Sequence, residues 1–166
     1  MVAAENFVDP PVTPSEPEDG DEIARLVARI ASEYLLRVLK LLAETHDADL
    51  ITAIVAQAII AANTAHLDAR MGEGPRFAAM AHAPPDEVRR PISVLALSHS
   101  LGMPFETTRR HVNKLVAAGR CVRLKGGVIV PTSALEHPVT VEATRTHLTY
   151  VRRLLRALKA AGVAAD

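Results

Sequence analysis

The residues with the clearest potential for binding chemistry are two adjacent arginines in the stretch LGMPFETTRRHVNKL, residues 101–115. Arg109 and Arg110 stand in the middle of a segment that should be helical, although the formal charge of the whole chain is zero. Arginine can bind guanine through two parallel hydrogen bonds, and both arginine and lysine bind phosphate. This pattern predicts that one face of the helix meets a polyanion.

The elements that must position these arginines are two short helices joined by a tight turn. The segment SVLALSHSLG predicts a first helix that ends at Gly102, because glycine accepts the left-handed conformation common after a helix. Pro104 suits the start of a second helix, where its missing N–H is harmless. Two helices joined by a short turn that contains glycine are typical of the helix-turn-helix motif.

Helical spacing divides the residues of these two helices between a shared core and an outer surface. The residues predicted to face inward are Val94, Leu97, Ser98, Leu101, Thr108, Val112 and Leu115. The residues of the second helix, 104–118, that are left facing outward are Phe105, Glu106, Thr107, Arg109, Arg110, Asn113 and Lys114. The outer surface of the second helix is therefore polar and basic, with one aromatic residue.

A β-hairpin is predicted directly after the second helix, in the segment RCVRLKGGVIVPT. Two short apolar and β-branched runs, opening at Cys121 and spanning 128–130, flank a Gly126–Gly127 turn, which is a hairpin signal. Arg123 and Lys125 lie near the tip of this hairpin. The order of elements is thus an extended piece, a helix, a tight turn, a helix and a basic hairpin.

This segment resembles the winged helix-turn-helix of bacterial transcriptional regulators, broadly of the MarR and IclR kind. The matching features are Leu101–Gly102 before the turn, Thr107 and Arg109 or Arg110 in the second helix, Leu115 and Gly119 near its end, and the wing over residues 121–130. Pro104 departs from the pattern, because these regulators commonly have Ser or Thr there. The resemblance covers about a quarter of the chain.

The resemblance implies that helix 104–118 is a recognition helix that enters the major groove of double-stranded DNA. Thr107, Arg109 and Arg110 would then read or clamp the DNA. Lys114, together with Arg123 and Lys125 of the short wing, would hold backbone phosphates. Helices outside the DNA-binding unit would form a homodimer, so that two recognition helices face a two-fold operator.

The distribution of charge supports a basic segment in the second half of the chain. Residues 86–127 contain eight bases and three acids, whereas residues 1–22 contain seven acids and no base. Residues 1–20 are also rich in proline and are predicted to be a disordered arm. We therefore expect four regions, with the arm followed by an N-terminal helical region over 21–72, the DNA-binding unit over 86–132 and a C-terminal helix over 137–162.

Long amphipathic helices are predicted on both sides of the basic segment. The first begins near Asp21 and runs for about 24 residues, and the last spans 138–161. Both are candidates for dimerisation. Between them, the apolar stretch 50–62 is predicted to be a core helix that is too short to cross a membrane, which needs about 20 residues.

Catalytic and metal-binding signals are weak in this sequence. A single cysteine and seven histidines without metal-ligand spacing predict neither a disulfide framework nor a metal site, and no motif of a catalytic nucleophile or nucleotide loop is found. His111 and Cys121 are interpreted as packing residues. Asn63 and His66 could line a small-molecule pocket or cap the end of their helix, and capping is favoured.

Taken together, the sequence predicts a mainly α protein with a winged helix-turn-helix, a two-stranded β wing and long flanking helices. The expected function is that of a homodimeric, cytoplasmic, DNA-binding transcriptional regulator, which is not an enzyme and needs no cofactor. A small-molecule effector is left open as a further partner. The alternative is a winged helix that serves protein contacts, or a subunit of a larger complex that does not bind DNA.

Overall fold

A computed structural model describes residues 21–47, 49–68 and 83–163, and the predicted N-terminal arm lies outside these residues. The protein is mainly helical and contains a small antiparallel sheet. The helices are α1 (Asp21–Glu44), α2 (Leu50–Asp68), α3 (Val94–Leu101), α4 (Phe105–Ala117), α5 (Thr132–Leu135) and α6 (Pro138–Ala160), and the strands are β1 (Val122–Leu124) and β2 (Gly127–Ile129). A 3-10 turn at Asp86–Val88 precedes α3.

The two long predicted helices are confirmed, and they pack against each other within the chain. α1 has the expected 24 residues, and α6 ends one residue before the predicted boundary. The hydroxyl of Tyr34 in α1 lies 2.8 Å from Nε2 of His147 in α6, and the two rings stack with their centroids 6.1 Å apart. The pairing leaves the described side chains of both helices at least partly accessible to solvent.

The helix pair around the predicted turn is also confirmed. The hydroxyl of Ser93 accepts a hydrogen bond from the backbone N–H of Ala96 at 3.1 Å and so caps α3. Gly102 ends α3 with φ 61°, the left-handed conformation that glycine adopts without strain. Pro104 precedes the first residue of α4. Of the residues predicted to face inward, Leu97, Ser98, Thr108, Val112 and Leu115 are buried, while Val94 and Leu101 are partly buried against the same core.

The predicted hairpin is present, with slightly different ends. β1 begins after Cys121, and the Cα partners run from Val122 opposite Ile129 to Leu124 opposite Gly127. The extended piece before α3 joins the sheet, because Ile92 and Val128 exchange backbone hydrogen bonds of 3.1 and 2.9 Å. The residues of β1 are exposed, whereas Val128 and Ile129 of β2 are buried. The hairpin therefore rests on the core through β2 and presents β1 to solvent.

The core lies where α2 meets α3, α4 and β2. Val55 and Ile59 of α2 pack there with residues of the helix pair, and Cys121 is buried beside them, which confirms its packing role. Burial of the Cys121 thiol raises its pKa to about 12. The thiol is therefore protonated and shielded from oxidants in the folded protein.

Asn63 and His66 do not cap α2, and they do not line the cavities that the structure describes. Asn63 is fully buried, and its side chain bonds the carbonyl oxygens of Arg90 and Val128 at 2.8 and 3.2 Å and the N–H of Val130 at 3.0 Å. Nε2 of His66 lies 2.8 Å from the carbonyl oxygen of Val88. The capping interpretation is wrong, because both side chains tie α2 to backbone that is distant in sequence.

The apolar part of α2 is longer than the sequence pattern indicated. The window Leu50–Leu67 has a mean hydropathy of 1.6 and is long and apolar enough to cross a membrane by length and composition. The prediction that this stretch is too short is therefore wrong. One third of the window is buried inside the protein, and a core helix satisfies the same criteria.

Candidate nucleic-acid interface

The outward surface of α4 carries most of the residues that the sequence singled out. A shallow, open depression runs along it, and we call this surface the α4 face; its residues are Glu106, Thr107, Arg109, Arg110, Asn113, Lys114 and Ala117. Helical spacing places the buried residues of α4 on the opposite side, so packing against the core holds the α4 face toward solvent. Phe105 opens the helix beside this face and is 43% exposed.

The two arginines of the opening stretch lie in different environments. Arg109 is paired with Glu106, one turn earlier, through contacts of 2.9 Å from Nε and 2.8 Å from an Nη atom to Oε2. The hydrogen bond and the charge of Glu106 raise the pKa of Arg109. Arg110 is exposed and makes no ion pair or side-chain hydrogen bond with any residue that the structure describes. Arg110 is thus the cation of the α4 face that is available to an external anion.

The hairpin is tied to α4 by a contact between predicted site residues. The guanidinium of Arg123 in β1 donates a hydrogen bond of 2.6 Å to Oδ1 of Asn113. This contact fixes the basic side chain of the hairpin beside the α4 face. Lys125 is exposed in the turn between β1 and β2. The structure therefore brings Arg123 to α4, while Lys125 stays at the tip of the hairpin.

Lys114 lies against an acidic residue that the sequence analysis did not associate with this surface. Its Nζ atom is 2.8 Å from Oδ2 of Asp49, which directly precedes α2. Asp49 is fixed in turn by Thr52, whose N–H donates to Oδ1 at 3.0 Å and whose hydroxyl donates to Oδ2 at 2.7 Å. Lys114 and these two bonds hold the pKa of Asp49 well below its usual range. The carboxylate is therefore ionised throughout the physiological range.

His111 completes this network from the buried side of α4. Its Nδ1 atom lies 2.7 Å from the hydroxyl oxygen of Thr52. That hydroxyl gives its only proton to Asp49, so Nδ1 must carry a proton and donate to Thr52. Burial lowers the pKa of His111, and Lys114 and Arg110 lower it further against the opposing effect of Asp49. The packing interpretation of His111 is correct, and the ring also links α2 to α4.

The sequence offered only part of the signal for this network. An aspartate shortly before a helix is a recognisable cap, Asp47 and Asp49 both qualify, and the structure places Asp49 in that position. Its contact with Lys114 joins residues 65 positions apart, which no local spacing reveals. Among the described residues no cluster of histidine, cysteine and acidic side chains could hold a metal ion.

A separate cavity of about 250 Å³ lies between the α1–α6 pair and the core. Its walls are largely aliphatic, with polar groups from His46, Arg120 and His147. Burial lowers the pKa of His46, and the nearby charge of Arg120 lowers it further. The cavity is a physical space for a small molecule, and it shares no lining residue with the α4 face.

Comparison with protein-family models, with characterised proteins and with solved structures found no match for this chain. The resemblance to MarR and IclR regulators therefore stays a prediction from the sequence.

Proposed function

We propose that the chain is a homodimeric, sequence-specific DNA-binding transcriptional regulator that acts in the cytoplasm. In this proposal residues 86–132 form a winged helix-turn-helix whose wing is the β1–β2 hairpin. Helix α4 enters the major groove, where Thr107, Arg109 and Arg110 face the bases. Arg123 and Lys125 contact phosphates on the flanking backbone.

The observation that carries the proposal is the exposed basic surface formed by α4 and β1. A helix of this width fits the major groove, and Arg110 has no intramolecular partner among the described residues. Arg109 is paired with Glu106, whose side chain is 69% exposed and has no second partner among the described residues, so this pair can open when DNA approaches. The Arg123–Asn113 bond places the hairpin cation on the same side.

The homodimer is supported by apolar side chains that α1 and α6 leave in solvent. Leu36 and Leu155 are 67% and 57% exposed, and Leu35 and Leu148 are about half exposed. Burial of such side chains against a second copy gains roughly 25 cal/mol per Å² of apolar surface. A dimer would also present two copies of α4 to a two-fold operator. An effector, if the regulator has one, would bind in the cavity beside Arg120.

The test is binding to random-sequence duplex DNA at about 50 and 200 mM salt, because a phosphate-binding protein loses affinity steeply over this range. We expect micromolar binding at the lower salt concentration and its loss in Arg109→Ala/Arg110→Ala. The matched control is Arg152→Ala/Arg153→Ala, which removes two adjacent exposed arginines from α6 and should leave binding intact. Absence of binding at low salt, or equal losses in both double variants, contradicts the proposal.

A second candidate function is protein recognition by the same helix pair. It is favoured by the exposed apolar side chains of Leu95 in α3 and Phe105 in α4. Partner binding through these residues predicts that Phe105→Ala abolishes the interaction while Arg110→Ala does not. DNA binding predicts the reverse order of effects.

A further inference from the structure

We propose that Asp49 suppresses the sequence-independent part of DNA binding by neutralising Lys114. This inference rests on the proposed DNA-binding function and changes one part of it. Lys114 lies on the α4 face, yet its charge is already matched within the protein by Asp49. The pair removes one phosphate contact from a surface that otherwise attracts any nucleic acid.

Asp49 is held in place independently of Lys114. Its two carboxylate oxygens accept hydrogen bonds of 3.0 and 2.7 Å from the N–H and the hydroxyl of Thr52. Thr52 is buried and is itself bonded to His111. The carboxylate therefore stays beside Lys114 when another anion approaches, instead of swinging away as a free surface side chain would.

Asp49 would repel a phosphate that approached Lys114. A phosphate oxygen bonded to Nζ of Lys114 would lie within about 6 Å of Oδ2 of Asp49, since each contact to Nζ is close to 2.8 Å. That separation is shorter than the Debye length of about 8 Å at physiological salt, so repulsion between the two anions is incompletely screened. The attraction of Lys114 for DNA is therefore largely cancelled while Asp49 is ionised.

The contact that Asp49 cancels is one between a lysine and the DNA backbone. Phosphate contacts by lysine carry no sequence information and contribute mainly to non-specific binding. Lys114 is about half exposed and lies on the same face as Arg110, so it is within reach of a bound backbone. Neutralising it lowers affinity for random DNA and leaves the arginines that would read bases unaffected. Because a phosphate contact adds to the affinity for every sequence, its loss weakens binding to random and to cognate DNA alike.

The substitution Asp49→Asn isolates the charge, because Asn caps helices as well as Asp does. Its carbonyl oxygen can accept from the N–H of Thr52, and its amide can donate to the Thr52 hydroxyl. That hydroxyl is then free to donate to Nδ1 of His111, which takes the other neutral tautomer. The matched control is Asp47→Asn, which makes the same charge change two residues away. Asp47 has φ 52°, a conformation that Asn adopts readily.

The experiment measures the affinity of the full chain for random duplex DNA across a salt series, with the melting temperature of each variant. We expect the logarithmic salt slope of Asp49→Asn to be steeper than that of the wild type by about one. Over a fourfold change in salt this amounts to an additional loss of about three- to fourfold. Asp47→Asn should follow the wild type, and Lys114→Ala should remove the effect of Asp49→Asn in the double variant.

The outcomes separate this inference from the function on which it rests. Absence of salt-dependent binding in the wild type contradicts the proposed function itself. If the wild type binds but Asp49→Asn and Asp47→Asn have equal slopes, Asp49 does not suppress the contact. The inference also fails if Lys114→Ala alone lowers the slope by about one, because Lys114 would then already be bound to phosphate in the wild type.

Discussion

The hydroxyl oxygen of Thr52 in α2 lies 2.7 Å from Nδ1 of His111 in α4, and the two side chains are buried together. This contact joins the N-terminus of the core helix to the helix that carries the basic surface. Protonation of the His111 ring would place a charge in this buried site, and burial accordingly lowers its pKa.

We expect the stability of the protein to fall as the pH is lowered from 7.5 to 5.5. Burial lowers the pKa of His111 and of His46 below the unfolded value of about 6.5, so the unfolded chain binds protons before the folded protein does. Stability attributable to these groups is complete above that value and decreases below it. Asp49 adds nothing to this pH dependence, because its lowered pKa keeps its carboxylate ionised from pH 7.5 to 5.5.

The pH effect can be measured as the free energy of unfolding in urea at the two pH values. His111→Gln should show a smaller difference between them than the wild type. The exposed residue His99 offers the control, and His99→Gln should retain the wild-type difference. An unchanged difference in His111→Gln would show that this ring does not account for the dependence.

Replacing Asn63 is expected to destabilise the protein by about 3 kcal/mol, because its removal leaves buried backbone groups without partners. Its side chain accepts a hydrogen bond from the N–H of Val130 and donates to the carbonyl oxygens of Arg90 and Val128. The measurement is chemical denaturation of Asn63→Ala. Gln57→Ala, on the exposed side of the same helix, should change stability by no more than about 0.5 kcal/mol. Similar losses in both variants would contradict this role for Asn63.

The hairpin depends on the absence of a side chain at Gly127. Its φ is 151°, and a Cβ atom there would overlap the backbone of Ile92. Gly126 has φ 101°, and a Cβ atom on this residue would meet no neighbouring atom within 4 Å. Gly127→Ala should therefore destabilise the protein by about 2 kcal/mol more than Gly126→Ala, since both carry backbone strain and only one adds a clash. Thermal unfolding of the two variants tests the difference, and equal losses would show that Ile92 moves aside.

The proposed dimer predicts that charges on the exposed surface of the long helices dissociate it. Leu36→Glu/Leu155→Glu should halve the mass measured by sedimentation, because burying two carboxylates in an apolar interface is costly. Leu95→Glu places a charge at a comparably exposed leucine of α3 and should leave the mass unchanged. A wild-type protein that sediments as a monomer at high concentration would exclude this interface.

Local signals made most of the secondary structure predictable. The apolar periodicity of α1 and α6, the glycine after α3 and the Gly126–Gly127 turn each act within a few residues, so they can be read without knowing the fold. Local signals do not decide between two roles that the same residue type can take. Asn63 was assigned to a helix end because asparagine often caps, but its partners come from residues 90–130, and only the packed structure brings them to it.

The sequence by itself determined which residues face outward on α4 and where the basic segment lies, because helical periodicity and charge are local properties of the chain. Only the tertiary structure decided which of those side chains are held by partners distant in sequence. Glu106 holds Arg109 from within the same helix, whereas Asp49 holds Lys114 from 65 residues away and Arg123 reaches Asn113 from the hairpin. Charge pairing depends on distance in space, and that distance is fixed only when α2, α4 and the hairpin pack on one core.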